Sequence, residues 1–270
     1  MLGDCLKHVR ERKPLIHCIT NYVTVNDVAN MILASGGTPI MADEPQEAAE
    51  ITSKCDGLVL NMGTINERRH ASYLEAGKEA NRKGHPVVLD PVGLGVSSYR
   101  RKIAGELLSQ VKMTVIRGNL SEILTLAGST ASGRGVDAAD VQGKSEEEII
   151  ALIKKAAADL DCVIAVSGAT DYVADRNVCY VIHNGRSEMS RITGTGCQLT
   201  GLIASFVTAN KDNPAEAAAA AAALMGLAGE TGWQHLAEYE GNATYRNRII
   251  DAVYRMDEDT LNKGARYEIR

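Results

Sequence analysis

The chain has 270 residues, 45% of them hydrophobic, and a formal net charge of −5. That apolar share supplies a deep core and argues against disorder, and the absence of any Lys/Arg run argues against nucleic acid or an anionic membrane as partner. Six cysteines at 5, 18, 55, 162, 179 and 197 form no Cys-x-x-Cys pair, a scatter that suits reduced thiols in the cytoplasm rather than a disulfide framework or a zinc site.

The opening stretch, MLGDCLKHVRERKPL, mixes charges with single apolar residues and lacks the apolar run of a secretory signal. PLIHCI (14–19) reads as the first buried strand, with His17 as a satisfied core histidine. Helical periodicity follows over Val25–Ala34, where Thr24 and Asp27 have the spacing of a capping box. Further strands are expected at TPIM (38–41), GLVLNM (57–62), PVVLD (86–90), MTVIRG (113–118) and CVIAVSG (162–168). Helices are expected between them, among others over Asn66–Lys83 and Glu146–Leu160, while Gly128–Gly143 reads as a surface loop. DYVADRNVCYVIHNG reads as a hairpin turning near Asp175–Asn177. RITGTGCQLTG then opens a helix over 196–209, and a second runs over 214–229. Its alanine-rich part, Ala217–Ala228, is too short to span a bilayer, and alanine is the best helix former. Strand–helix alternation of this kind predicts an α/β fold with a mostly parallel central sheet and helices on both faces. No linker, repeat or shift in composition divides the chain, which reads as one domain over 1–270.

In open α/β sheets, ligands bind beyond the carboxyl ends of the strands. The residues expected there are Thr20 and Asn21, Met41, Asn61, Asp90, then Arg117 with Asn119 and Glu122, and finally Ser167. Several have a plainer reading. Asn119 and Glu122 also fit a capping box, Asp90–Pro91 is a common turn pair, and Met41 suits a core. Arg117 is harder to dismiss, because a guanidinium at the tip of a buried strand needs an anionic partner. Together the set has a logic. Asp90 and Glu122 carry the hard oxygens that Mg²⁺ takes, often through water and phosphate. A Gly-Thr-Gly turn at a helix start offers unpaired N–H groups to phosphate, and glycines at 194 and 196 allow a close approach. No Gly-x-x-x-x-Gly-Lys-Ser/Thr occurs, and no Gly-x-Gly-x-x-Gly follows the first strand. Cys197 as a hydrolytic nucleophile lacks an obvious histidine base. A kinase acting on a small alcohol is left.

Segments along nearly the whole chain carry a resemblance: HCITNYVTVNDVAN, PIMADEPQE, LVLNMGT, PVVLDPVGLG, VIRGNLSEI, GVDAAD and ITGTGCQLTG. HCITNYV together with TGTGC is specific to one family, and the chain resembles the hydroxyethylthiazole kinases of thiamin salvage. The resemblance implies a ribokinase-like fold and transfer of phosphate from ATP, with Mg²⁺, to 4-methyl-5-(2-hydroxyethyl)thiazole. It implies that Met41 and Gly194 contact the thiazole, with Asn21 at the substrate end of the first loop. Arg117, Asn119 and Ser167 would contact ATP, position 167 being more often Thr in the family. Asp90 and Glu122 would hold Mg²⁺ and its waters. Cys197, with Gly194 and Gly196 beside it, stands where most ribokinase-like enzymes carry a catalytic aspartate. The family also implies a homotrimer with active sites between subunits. Two other readings stay open: a kinase for a hydroxymethylpyrimidine or pyridoxal-type alcohol, and a weakly active thiazole- or nucleotide-binding protein in which Cys has replaced Asp.

Overall fold

The computed structural model describes residues 1–130 and 143–270. In chain order its first half runs α1 (Leu2–Arg12), β1 (Leu15–Ile19), α2 (Val25–Ser35), β2 (Thr38–Met41), α3 (Pro45–Lys54), β3 (Gly57–Asn61), α4 (Glu67–Lys83), β4 (Val87–Asp90) and α5 (Ser98–Gln110). Then follow β5 (Val115–Gly118), α6 (Leu120–Thr130), α7 (Glu146–Leu160), β6 (Val163–Val166), β7 (Asp171–Ala174) and β8 (Cys179–Ile182). The chain ends with α8 (Thr195–Ala209), α9 (Pro214–Gln234), α10 (Asn242–Arg255), α11 (Glu258–Gly264) and β9 (Tyr267–Ile269).

The nine strands form one sheet in the order β2-β1-β3-β4-β5-β6-β7-β8-β9. The first six pair in parallel, and β7, β8 and β9 are antiparallel. Because side chains alternate along a strand, successive apolar residues feed opposite faces. Cys18, Val59, Val88 and Val115 enter the core beneath α1, α2, α8, α9 and α10, whereas Leu58, Leu60, Leu89 and Ile116 enter the core beneath α4, α5, α6 and α7. Parallel strands buried on both faces explain why β3 and β4 read as unbroken apolar runs.

α8 is buried along its length from Gln198 to Ala209 and packs on β3 and β4 on one side and on α2 and α9 on the other. α9 is buried from Ala217 to Ala223, where methyl side chains let neighbouring backbones come close. Among the described residues no helix is long and apolar enough to cross a membrane.

The expected hairpin forms as β7 and β8, and its turn is closed by Asp175 Oδ1, which accepts from the N–H groups of Asn177 and Val178. His17 is a satisfied core histidine, bonded to Thr52 Oγ1 at 2.8 Å and to the Ala42 carbonyl at 3.0 Å. The box expected at Thr24 and Asp27 does not form, since Thr24 starts α2 without a side-chain cap. Its N–H is taken instead by Asn21 Oδ1, 3.2 Å away. Most of the loop expected over Gly128–Gly143, and the GVDAAD segment within it, lies outside the described residues; the start of that range continues α6.

The chain leaves β1 for β2 on one side and later enters β3 on the other, so the sheet reverses its winding between β1 and β3. A crevice opens at the carboxyl ends of two strands whose connections diverge. Asn21 and Asn61 stand at its lips.

Candidate active site

Asp90 ends β4 and is fully buried. Its Oδ2 accepts from Asn61 Nδ2 at 2.8 Å and from Thr200 Oγ1 at 2.8 Å, with Arg117 Nη1 at 3.6 Å. Its Oδ1 is buried and has no partner among the described residues. Burial pushes the Asp90 carboxyl above its ordinary range, against the opposing charge of Arg117 and the bonds from Thr200 and Asn61.

Cys197 lies in the first turn of α8, over the crevice. Its Sγ accepts from Asn21 Nδ2 and from Asn61 Nδ2, each at 3.3 Å. Burial and then the charge of Asp90 push the thiol above its ordinary value, while bonds from Thr24, Asn21 and Asn61 pull it down.

Gly194 caps α8 at φ 87°, in the left-handed region, and among the described residues no side chain caps this helix. Its first N–H groups are therefore left without a side-chain acceptor, and the helix start carries partial positive charge. The two glycines also have reasons the sequence does not give. A Cβ on Gly194 would strike the Thr24 side chain, and one on Gly196 would strike the Arg117 guanidinium. The close approach they permit is therefore made in part by protein groups. Arg117 lies across Gly196, donates to Ser167 Oγ and reaches toward Asp90.

Beside this group a cavity of about 500 Å³ is lined by Arg117, Ser167, Gly168, Asp171, Thr195 and Met225, among others. Asp171 Oδ1 accepts from the Gly168 N–H at 2.9 Å, and burial pushes its carboxyl up to about 6. A cavity of about 530 Å³ opens at the other end of the sheet, between Lys112, Thr114 and Val163 at the starts of β5 and β6. It is marginally larger, but it lies where open α/β sheets do not bind their ligands.

The remaining expected residues fall into two further places. Met41, half-buried at the end of the edge strand β2, lines a small cavity of about 140 Å³ with Thr20, Asp43 and Arg69. Asn119 and Glu122 do form the capping box of α6: the Asn119 N–H donates to Glu122 Oε2 at 2.8 Å, and the Glu122 N–H to Asn119 Oδ1 at 2.9 Å. Glu122 Oε1 also accepts from the Gly93 N–H at 2.7 Å, tying the loop after β4 to α6.

This donor set bears on Mg²⁺ in two ways. The bare Oδ1 of Asp90 is a hard oxygen free to take a cation or its water. Each Glu122 oxygen already accepts a backbone N–H, so Glu122 suits a metal-bound water better than the metal itself. Among the described residues no cluster of three or more His, Cys, Asp or Glu side chains could enclose a metal. Asn61, Thr200 and Asp171 join the site without having been assigned to it from the sequence. Asn61 was visible as a strand-tip residue, and Thr200 lies one helical turn after Gly196. Asp171 gave no signal, because it belongs to the hairpin rather than to a parallel strand.

The family model of the "Hydroxyethylthiazole kinase family" matches residues 6–259. A hydroxyethylthiazole kinase of Clostridium acetobutylicum is 49% identical over 99% of both chains. The solved structure of a hydroxyethylthiazole kinase protein from Pyrococcus horikoshii superposes with a TM-score of 0.89 at 33% identity, covering 100% of this chain and 98% of that one. A pyridoxal kinase from Staphylococcus aureus, solved with AMP-PCP and pyridoxal, shares the fold at a TM-score of 0.63 and 16% identity, over 96% of this chain and 98% of that one. The mostly parallel sheet is thus ribokinase-like, and the chain is a phosphotransferase belonging to the hydroxyethylthiazole kinase family.

Proposed function

We propose that the chain, acting as one domain in the cytoplasm, transfers the γ-phosphate of ATP to the hydroxyl of 4-methyl-5-(2-hydroxyethyl)thiazole with Mg²⁺. The observation that carries this reading is the meeting of Cys197, Asp90, Arg117 and the uncapped start of α8 around one crevice. In it, ATP occupies the cavity beside Arg117, Ser167 and Asp171, with its phosphates turned toward the N–H groups of α8. The exposed Asn119 offers ATP its amide nitrogen, since its Oδ1 caps α6. The thiazole lies on the side of Asn21, Gly194 and Met41, so that its hydroxyl faces Cys197. Asp90 would hold Mg²⁺ by Oδ1, and Glu122 would hold it through water. When bound, the cation neutralises charge on the transferring phosphoryl group. The hydroxyl oxygen attacks the γ-phosphorus, ADP leaves, and the hydroxyl proton passes to Cys197 Sγ late in the step.

A homotrimer with sites between subunits fits the same picture. Met41 stands on an edge strand, and Tyr22 and Val23 in the loop after β1 are 70% and 58% exposed, large apolar groups that a neighbouring subunit would cover.

A coupled ADP-release assay with the thiazole, a hydroxymethylpyrimidine and pyridoxal tests the reading. The thiazole is expected to lead in kcat/KM by roughly a hundredfold, the discrimination a shaped pocket provides. A lead by either other alcohol, or no ADP release at all, overturns it.

A further inference from the structure

We propose that Asn61 is a positioning residue for phosphoryl transfer, holding the Asp90 carboxylate and the Cys197 sulfur in one frame through the two N–H bonds of a single amide. The inference rests on the kinase reading above and adds a residue to it.

A primary amide has two hydrogens, and Asn61 Nδ2 has two acceptors: Asp90 Oδ2 at 2.8 Å and Cys197 Sγ at 3.3 Å. The other end of the amide fixes its orientation. Asn61 Oδ1 accepts from the Gly63 N–H at 2.9 Å, and a backbone N–H can only donate, so a flipped amide would set N–H against N–H. Asn21 Nδ2 adds a second bond to Oδ1 at 2.9 Å. The backbone is pinned as well. Asn61 is fully buried, it stands opposite Asp90 in the β3–β4 register, and its carbonyl accepts from Tyr73 Oη at 2.7 Å. This side chain has no second arrangement that keeps its bonds.

Two consequences reach the reacting groups. With Asn61 and Thr200 both on Oδ2, the Asp90 carboxylate turns its unbonded Oδ1 away from them. With Asn21 and Asn61 both donating to Sγ, the sulfur meets the protein as an acceptor. Both acceptors of this one nitrogen are groups on which the proposed chemistry depends.

Iodoacetamide labelling of Cys197 in the ligand-free enzyme, read by peptide mass spectrometry at neutral pH, tests this directly. N–H donors favour the thiolate, the form that reacts, so Asn61→Ala is expected to slow labelling at Cys197 about fivefold. Cys162, the other cysteine that is not fully buried, should be unchanged. A merely structural role predicts the reverse, because a loosened site exposes the sulfur and labelling accelerates. The same variant is expected to lose roughly tenfold or more in kcat with KM for ATP within about twofold, the pattern of an interaction made in the transition state. Asn61→Asp, which keeps the oxygen facing Gly63 and removes both N–H groups, should move both readouts in the same direction. If circular dichroism shows neither variant folded, labelling of Asn21→Ala decides, since it removes the neighbouring donor and the hold on Asn61 Oδ1. Labelling that is unchanged or faster in the deciding variant overturns the assignment. Labelling needs neither ATP nor alcohol, so a wild type that phosphorylates nothing would sink the kinase reading alone.

Discussion

Cys197 works against its surroundings: burial and the Asp90 charge favour the neutral thiol, and the bonds from Thr24, Asn21 and Asn61 favour the thiolate. An aspartate at this place has an ordinary pKa of about 4 and would be far more ionised at neutral pH than a thiol with an ordinary value of about 8.5. In a loose transition state the hydroxyl proton leaves late, so a weak base suffices. Cys197→Asp is therefore expected to stay active and Cys197→Ala to be slower than either. The wild-type rate should climb above pH 8, as thiolate forms, whereas the Asp variant stays level there. A dead Asp variant beside an unimpaired Ala variant would remove the sulfur from the proton's path. Asp171 gives a second test at this scale. Its carboxyl lies at about 6 in the folded chain against an ordinary 3.8, so between those values the folded state binds more protons than the unfolded state. Stability falls as pH rises through that window, and the loss is complete above it. Asp171→Asn keeps an acceptor for the Gly168 N–H and removes the charge. Its melting temperature should exceed the wild type's at pH 7 and match it near pH 4; a lower value at both would show that the carboxylate is stabilised by partners.

The start of α8 is where a reading by motif and a reading by contact diverge. Gly-Thr-Gly pointed to an anion turn, and among the described residues no side chain caps the helix it opens. What no spacing rule supplies is the partner that needs the missing Cβ, because Thr24 and Arg117 arrive from 170 and 79 residues away. The guanidinium over Gly196 yields a specific expectation. Gly196→Ala should raise KM for ATP roughly tenfold by displacing Arg117, as Arg117→Ala does, and the double variant should be no worse than Arg117→Ala alone. Additive losses would mean that the glycine serves the phosphate directly. Other elements were legible because their signal is local: β2 and α7 fall where the apolar runs and periodicity put them. The capping box at Asn119 and Glu122 was legible too, while the one expected at Thr24 and Asp27 does not form, because Asn21 takes the same N–H. α10, α11 and β9 carry no strong motif, and β9 owes its pairing to β8 rather than to its own three residues.

Across the whole molecule, strand alternation was enough to foresee a parallel sheet with two covered faces, but not the strand order, since any of several orders would bury the same runs. That order is what brings Asn21, Asn61, Asp90 and Arg117 side by side, on four strands or strand ends in succession. The pairing at the end of this row has a further consequence. Among the described residues the Arg117 guanidinium, 3.6 Å from Asp90 Oδ2, is the cation paired with that buried carboxylate. In the function proposed above, a polyphosphate would compete for the same guanidinium, and if Arg117 turned to it the carboxylate would lose its compensating charge. A divalent cation held by Asp90 Oδ1 would restore it. Neither ligand alone would complete this exchange: ATP without metal would leave the carboxylate without its compensating charge, and metal without ATP would share the carboxylate with the arginine on Oδ2. The two should bind with positive cooperativity, each raising the affinity of the other by the same factor, as linkage requires. Calorimetric titration of ATP with and without Mg²⁺ is expected to show a gain well beyond that for Arg117→Ala, in which the competition is gone. An arginine that looks like a simple phosphate contact would then be the reason the resting enzyme ignores its metal until its fuel is present.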